Sequence, residues 1–474
     1  MNQTVLALAH GLKCGQFSAS ELVNSYISAI QQHNKRLNAY VCLTFEKAVC
    51  AAERADRLIA EGNASPLTGI PFILKDNICT RGIATTCCSG MLLNYVPPYS
   101  ATVWERLQRE GAILLGKGNM DEFAMGSTGC TSVFGPAVNP CSSRHVAGGS
   151  SGGVASAVGG GLAAFGLGSD TGGSVRQPAA FCGVVGFKPT YGAISRYGLI
   201  AHASSLDQIG PITATAADAS FIYSAICGRD GRDMTSADYS APAHVKELKG
   251  LRIGVAKQLF AGCAQDVKST VERAICACER AGASTIELNI PALEEAISAY
   301  YVIACAEASS NLGRYDGIRY GLRGEGSTAE ECVVNSRTRG FGDEVKRRIM
   351  LGTFVLAGGV GRKYYSRACA LRSIISAQFA AAFENCDVIM SPTSPVTAYA
   401  LDSAQKLPTY VSDVYTVPAS LAGLPSISIP CGCDGGGLPV GLQIMAARGG
   451  DTLLLSAACA VEKIIPSWRE EAAQ

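Results

Sequence analysis

Three residues set the chemical question: a lysine ending an apolar run and two serines in glycine-rich stretches. Gly148-Gly149-Ser150-Ser151-Gly152-Gly153 and Gly168-Ser169-Asp170-Thr171-Gly172-Gly173-Ser174-Val175-Arg176 place Ser150 and Ser174 24 positions apart. A serine hydroxyl is a weak nucleophile and needs a base. Lys75 closes the run Ile70-Pro71-Phe72-Ile73-Leu74, where burial would favour the neutral amine. A neutral amine can accept a proton; an ammonium cannot. Lys75 has a plainer reading, a solvated strand-end lysine paired with Asp76, and the spacing leaves both open. The glycine-rich stretch has one too, a helix-packing region with incidental serines. In the chemical reading, Thr171-Gly172-Gly173 is a loop of bare backbone N–H groups converging on one point. Such fixed dipoles stabilise a developing oxyanion, and glycine permits the close approach.

These groups need elements that bring them together. A helix over 151–162 followed by a strand over 163–168 would rise roughly 18 Å and return roughly 20 Å, leaving Ser150 and Ser174 as neighbours. A short helix over 174–181 would add positive potential at its start. Other glycine chemistries are excluded: no G-x-x-x-x-G-K-[ST] occurs, and Gly166-x-Gly168 is not completed as a dinucleotide fingerprint. G-x-S-x-G does occur, at 148–152 and 149–153. As a nucleophile elbow it should follow a strand, and Ser142-Ser143-Arg144-His145 is a poor one.

The wider pattern alternates strand and helix. Residues 1–65 read as helical, with a capping box at Ser18-x-x-Glu21 and a second helix over 45–60. A helix over 101–110 and apolar runs at 70–74, 112–115, 183–187, 251–255, 387–390 and 426–429 follow. Helical segments lie near 264–282, 291–311, 343–356, 362–384 and 451–464. This predicts an α/β layer architecture in one large domain.

Composition bounds the function. The 474 residues carry 40 Lys+Arg against 39 Asp+Glu, which argues against a basic nucleic-acid groove or an acidic solvating chain. Glycine, at 53 residues, is about twice its usual share, as close backbone packing requires. The 20 cysteines are spread along the chain without C-x-x-C spacing and read as free thiols in a reducing cytoplasm. No metal site is expected. No apolar run reaches the roughly 18 residues of a membrane helix, and no signal peptide is evident.

Taken together, Lys75, the 148–153 run, Asp170–Arg176, Phe181-Cys182-Gly183 and Gly186-Phe187-Lys188-Pro189-Thr190 resemble the amidase signature family in order and spacing. The resemblance implies that family's fold, a large mixed β-sheet flanked by helices on both faces. It divides one domain into an N-terminal helical segment (1–65), a signature core (66–214) and the remaining α/β layers (215–474). It implies amide hydrolysis by a Ser–cis-Ser–Lys triad: Ser174 as acyl-forming nucleophile, Ser150 as bridging serine after a cis peptide, Lys75 as general base. Backbone amides of Thr171, Gly172 and Gly173 would line the oxyanion hole.

Further segments, 119–126, 204–211, 309–321 and 344–353, resemble one branch of the family, the glutaminase subunits of tRNA-dependent amidotransferases. That branch implies glutamine as substrate and a heterotrimer with B and C subunits. Partner-bound ATP and Mg would serve amidation of misacylated Glu-tRNA(Gln), or Asp-tRNA(Asn). Free glutamine needs a cation for its carboxylate and an anion for its ammonium. The branch pattern places these at Arg348 and Asp413, with Tyr300 nearby. Arg347 competes with Arg348, and Asp413 could instead cap a helix before Val414-Tyr415. The sequence departs from the pattern at Gly118 and at Gly358-Gly359-Val360-Gly361.

Three alternatives stand beside this reading. One is a stand-alone amidase for small or acyl amides. Another is a scaffold whose hydrolase site has decayed, against which the intact Lys75, Ser150 and Ser174 argue. The last is a Ser-His-Asp hydrolase using His202 or His244, although the five histidines show no pairing pattern.

Overall fold

The computed structural model describes residues 4–239, 247–404 and 413–472. Its centre is one sheet of eleven strands in the order β1-β3-β2-β4-β6-β5-β10-β11-β9-β7-β8. The strands are β1 (Tyr40–Leu43), β2 (Pro71–Lys75), β3 (Ile113–Gly118), β4 (Phe165–Asp170), β5 (Val185–Lys188) and β6 (Gln208–Thr213). They continue with β7 (Arg252–Ala256), β8 (Ser284–Leu288), β9 (Val388–Pro392), β10 (Ser426–Cys433) and β11 (Pro439–Ala446).

The sheet is mixed. β2 pairs parallel with β3 and β4, and β7 parallel with β8 and β9. The middle, β4-β6-β5-β10-β11-β9, is antiparallel throughout. Strands β2 to β6 are buried along their whole length. Such strands are covered on both faces of the sheet. The helices Gly152–Gly159 and Arg176–Cys182 pack on one another and on the sheet; Ala216–Ile226 and Asp451–Glu462 form a second such pair.

The glycine content has a packing cause. A Cβ on Gly166 would overlap Val154 of the helix Gly152–Gly159, so that helix lies directly on β4. The expected capping box at Ser18 and Glu21 forms, as does the helix Phe45–Ala60.

Several expectations are corrected. The helical reading of 1–65 is interrupted by β1, which pairs antiparallel with β3. The helix expected over 151–162 runs only Gly152–Gly159, and its strand starts at Phe165, two residues late. Gly160 caps the helix and Gly161, at φ +72°, takes the left-handed conformation that ends it. The helix expected over 174–181 starts later, at Arg176. Strands β6, β8 and β11 and the helices Ala216–Ile226 and Ala329–Gly340 have no counterpart among the expected elements. Among the described residues no helix is long and apolar enough to cross a membrane.

Candidate active site

β2, third from one edge of the sheet, delivers Lys75 between β3 and β4. β4 ends at Asp170, beside it, and opens the loop 171–174. The helix Gly152–Gly159 starts just after Ser150. Ser151 N–H donates to Ser174 C=O at 3.1 Å, so the two serine segments meet as the out-and-back path requires.

Lys75 is completely buried and is not the solvated partner of Asp76. Its Nζ lies 2.8 Å from Ser150 Oγ, 3.1 Å from the Ser169 carbonyl and 3.0 Å from Ser169 Oγ. Asn77 Nδ2 in turn donates to Ser169 Oγ at 2.9 Å. Burial pulls the Lys75 amine down to about 7, against the opposing pull of Asp121, Asp170 and Asp207. A substantial share is therefore neutral near neutral pH. The Gly149–Ser150 peptide is cis.

Asp170 and Arg176 make the frame of the loop. Their ion pair is 2.8 Å long and wholly buried. Asp170 also accepts from Val175 N–H at 3.1 Å, and Arg176 reaches the Thr416 carbonyl, Gln443 and Ser420 at 2.8–2.9 Å. The Arg176 guanidinium holds the Asp170 carboxyl below its ordinary range, although burial opposes it. Thr171 Oγ1 donates to Asp207 at 2.7 Å. Among the described residues, the N–H groups of Thr171, Gly172 and Gly173 have no acceptor within the chain. A Cβ on Gly172 would stand 2.7 Å from Tyr300 Cζ; one on Gly173, where φ is +146°, would overlap Thr416 Oγ1. Only glycine fits either place. Ser174 sits at the loop's end, 8% exposed.

The candidate clamp meets this loop where Tyr300 abuts Gly172. Tyr300 is on the helix Ala296–Leu312, and Arg348 on Asp343–Leu356, packed against it. Arg348 is 3% exposed; it donates to Glu344 at 2.7 Å, and its guanidinium lies 5.2 Å from the Tyr301 ring centre. Arg347 points to solvent and pairs with Glu344 at 2.8 Å. Arg348 is thus the inward-facing arginine and not a helix-surface charge. Asp413 does not cap the helix Val417–Leu421; Thr416 takes that position. Burial pushes the Asp413 carboxyl well above its usual range, with Arg348 opposing, and the charges of Arg348 and Asp413 both reach the Tyr300 hydroxyl.

The structure thus groups Lys75, Ser150 and Ser174 with the loop 171–173, and sets Arg348, Asp413 and Tyr300 beside it. Sequence reasoning did not single out Ser169, Asn77, Asp121, Thr416 or Glu344. Ser169 sat inside the motif; Thr416 gave no signal. The nucleophile-elbow reading fails on its geometry. Ser150 follows a loop, not a strand, and the His202 ring nitrogens have no partner among the described residues. His244 lies outside the described residues.

The amidase family profile matches residues 21–455. The chain belongs to the amidase family. Within it, the chain is similar to the A subunit of glutamyl-tRNA(Gln) amidotransferase from Caldanaerobacter subterraneus. The two are 51% identical over 468 residues, which cover 97% of this chain and 96% of that one. Among solved amidase-family structures it is similar to the A subunit of the same amidotransferase from Thermotoga maritima. There the identity is 38%, the coverage 94% and 92%, and the TM-score 0.79. The peptide amidase of Stenotrophomonas maltophilia is 28% identical over 97% and 96% of the two chains, with a TM-score of 0.84. The amidase fold is therefore common to enzymes of different substrates, and the substrate must be argued from this site.

Proposed function

We propose that this chain is the glutaminase subunit of a tRNA-dependent amidotransferase, hydrolysing glutamine to glutamate and ammonia. What carries the reading is the 51% identity to the A subunit of a glutamyl-tRNA(Gln) amidotransferase over nearly the whole of both chains. The site's chemistry supports it.

The neutral Lys75 amine takes the Ser150 proton, and Ser150 Oγ takes the proton of Ser174. Ser174 Oγ then attacks the carboxamide carbon. The N–H groups of 171–173 hold the resulting oxyanion. Collapse breaks the C–N bond, and the proton returns through Ser150 to the departing nitrogen, which leaves as ammonia. Water repeats the sequence on the acyl-enzyme and releases glutamate.

The substrate α-carboxylate pairs with the buried Arg348 guanidinium. Its α-ammonium meets the buried Asp413 carboxyl. Tyr300, packed on Gly172, closes the wall between clamp and oxyanion loop. The ammonia passes to a B subunit that uses ATP and Mg to amidate Glu-tRNA(Gln) or Asp-tRNA(Asn). A C subunit completes the heterotrimer, in the cytoplasm. With the tRNA carried by the partner, this chain needs no basic stripe of its own.

The test is Ser174→Ala in the purified complex. Glutamine-dependent tRNA amidation should vanish while ammonia-dependent amidation persists. If free ammonia does not rescue the variant, the division of labour is wrong. Turnover of aryl or aliphatic amides with indifference to glutamine would mark a stand-alone amidase instead.

A further inference from the structure

One side chain beside the site has no use in the mechanism above. His202 is 1% exposed, and neither Nδ1 nor Nε2 has a hydrogen-bond partner among the described residues. Its backbone is anchored at both ends. The N–H donates to Asp207 Oδ2 at 2.9 Å, and the carbonyl accepts from Asn311 Nδ2 at 3.2 Å.

Both anchors belong to the frame of the site. Asp207 also holds Thr171, which opens the oxyanion loop. Asn311 lies on the same helix as Tyr300. The charges that reach the imidazole are those of Arg348 and Lys75, which with burial keep it uncharged. The ring, held one hydrogen bond away from the Asp207 carboxylate that also binds Thr171, therefore offers one N–H donor and one bare nitrogen acceptor. A buried polar group left without a partner is unfavourable, so a ligand is the natural source of one.

Glutamine has four polar groups to satisfy. On the reading proposed above, Arg348 takes the carboxylate, Asp413 the ammonium and the loop 171–173 the carboxamide oxygen. The carboxamide NH2 is left without an acceptor. Resting on that reading, we infer that the bare imidazole nitrogen of His202 accepts a hydrogen bond from the substrate carboxamide NH2. His202 is then a specificity residue that selects a primary amide over an ester of the same skeleton.

The experiment compares glutamine with glutamic acid γ-methyl ester, whose leaving group has no N–H, using the full-length chain with its co-purifying partners. His202→Phe keeps a planar ring and removes both nitrogens; His202→Gln keeps an acceptor. His202→Phe should lower kcat/KM for glutamine by about 10- to 100-fold and leave the ester within about twofold. His202→Gln should recover most of the amide activity. Equal loss on both substrates, or no loss on either, overturns the inference. A second measurement does not need the His202 variants to fold. In Ser174→Ala protein carrying 15N-histidine, glutamine should shift one buried imidazole resonance and the ester should not. No shift with glutamine also overturns it. Failure of the underlying reading looks different: the unaltered protein would hydrolyse the ester but not glutamine.

Discussion

Thr416 Oγ1 donates to the Gly172 carbonyl at 2.6 Å, and Thr416 N–H donates to the Asp413 carbonyl at 3.1 Å. One residue therefore fastens the turn bearing Asp413 to the loop 171–173. The turn bearing Asp413 and the loop 171–173 are a single mechanical unit.

Thr416→Val removes that donor at nearly constant volume. The loop loses one hydrogen bond, about 1 kcal/mol of stability. Because loop and clamp should both drift, kcat/KM for glutamine is expected to fall by about 10- to 100-fold. Steady-state kinetics beside a thermal melt separate the two effects. A variant with wild-type kinetics would show that the link has no catalytic consequence.

Lys75 sets a pH dependence with a definite sign. The protonated amine cannot act as base, so kcat/KM should fall as pH drops through about 7. Stability follows the same shift. Between about 7 and the ordinary value of 10.5, the folded chain binds fewer protons at Lys75 than the unfolded chain. Its burial is thus fully destabilising below that window, and the penalty fades as pH rises through it. Lys75→Met should abolish turnover, losing about 10²-fold or more, while raising the melting temperature most at neutral or lower pH. Equal gains across the range would contradict the shifted amine.

The two arginines of the clamp helix should behave differently. Arg348→Ala removes a buried guanidinium and should raise KM for glutamine by about 100-fold, as loss of a charge-assisted pair does. Arg347→Ala, at an exposed ion pair, should change KM by less than about threefold. Glutamine titrations of both variants decide it. Reversed effects would assign the carboxylate to Arg347.

Asp170→Ala leaves Arg176 buried without its counter-ion. Breaking such a pair from one side costs about 3–5 kcal/mol. Urea unfolding of the variant should show a loss of that size, and the loop 171–174 should lose its frame with it. A loss under about 1 kcal/mol would mean that Thr416, Ser420 and Gln443 hold Arg176 without Asp170.

Much of the site was legible because its chemistry is local in sequence. The lysine ending an apolar run, the two glycine-rich stretches and the spacing between them depend on residues within about two helical turns or one strand. The run before Lys75 left burial and a solvated strand end both open, and the structure decides for burial. The capping box and the helix Phe45–Ala60 were readable for the same reason. Strands β6 and β11 escaped notice. They are buried throughout and hold glycine and proline, so no period-two alternation marks them.

The sequence by itself determined which residues could do the chemistry: a base, a relay, a nucleophile and a bare-backbone loop in fixed order. Tertiary structure decided which arginine faces inward, that Asp413 is tied to the loop through Thr416, and that His202 is buried with its ring nitrogens unpartnered among the described residues. Those facts join positions up to 244 residues apart, as Thr416 and Gly172 are. Contacts at that separation arise from the order of strands in the sheet. Each strand's own pattern fixes only that it is buried, not which neighbour it takes.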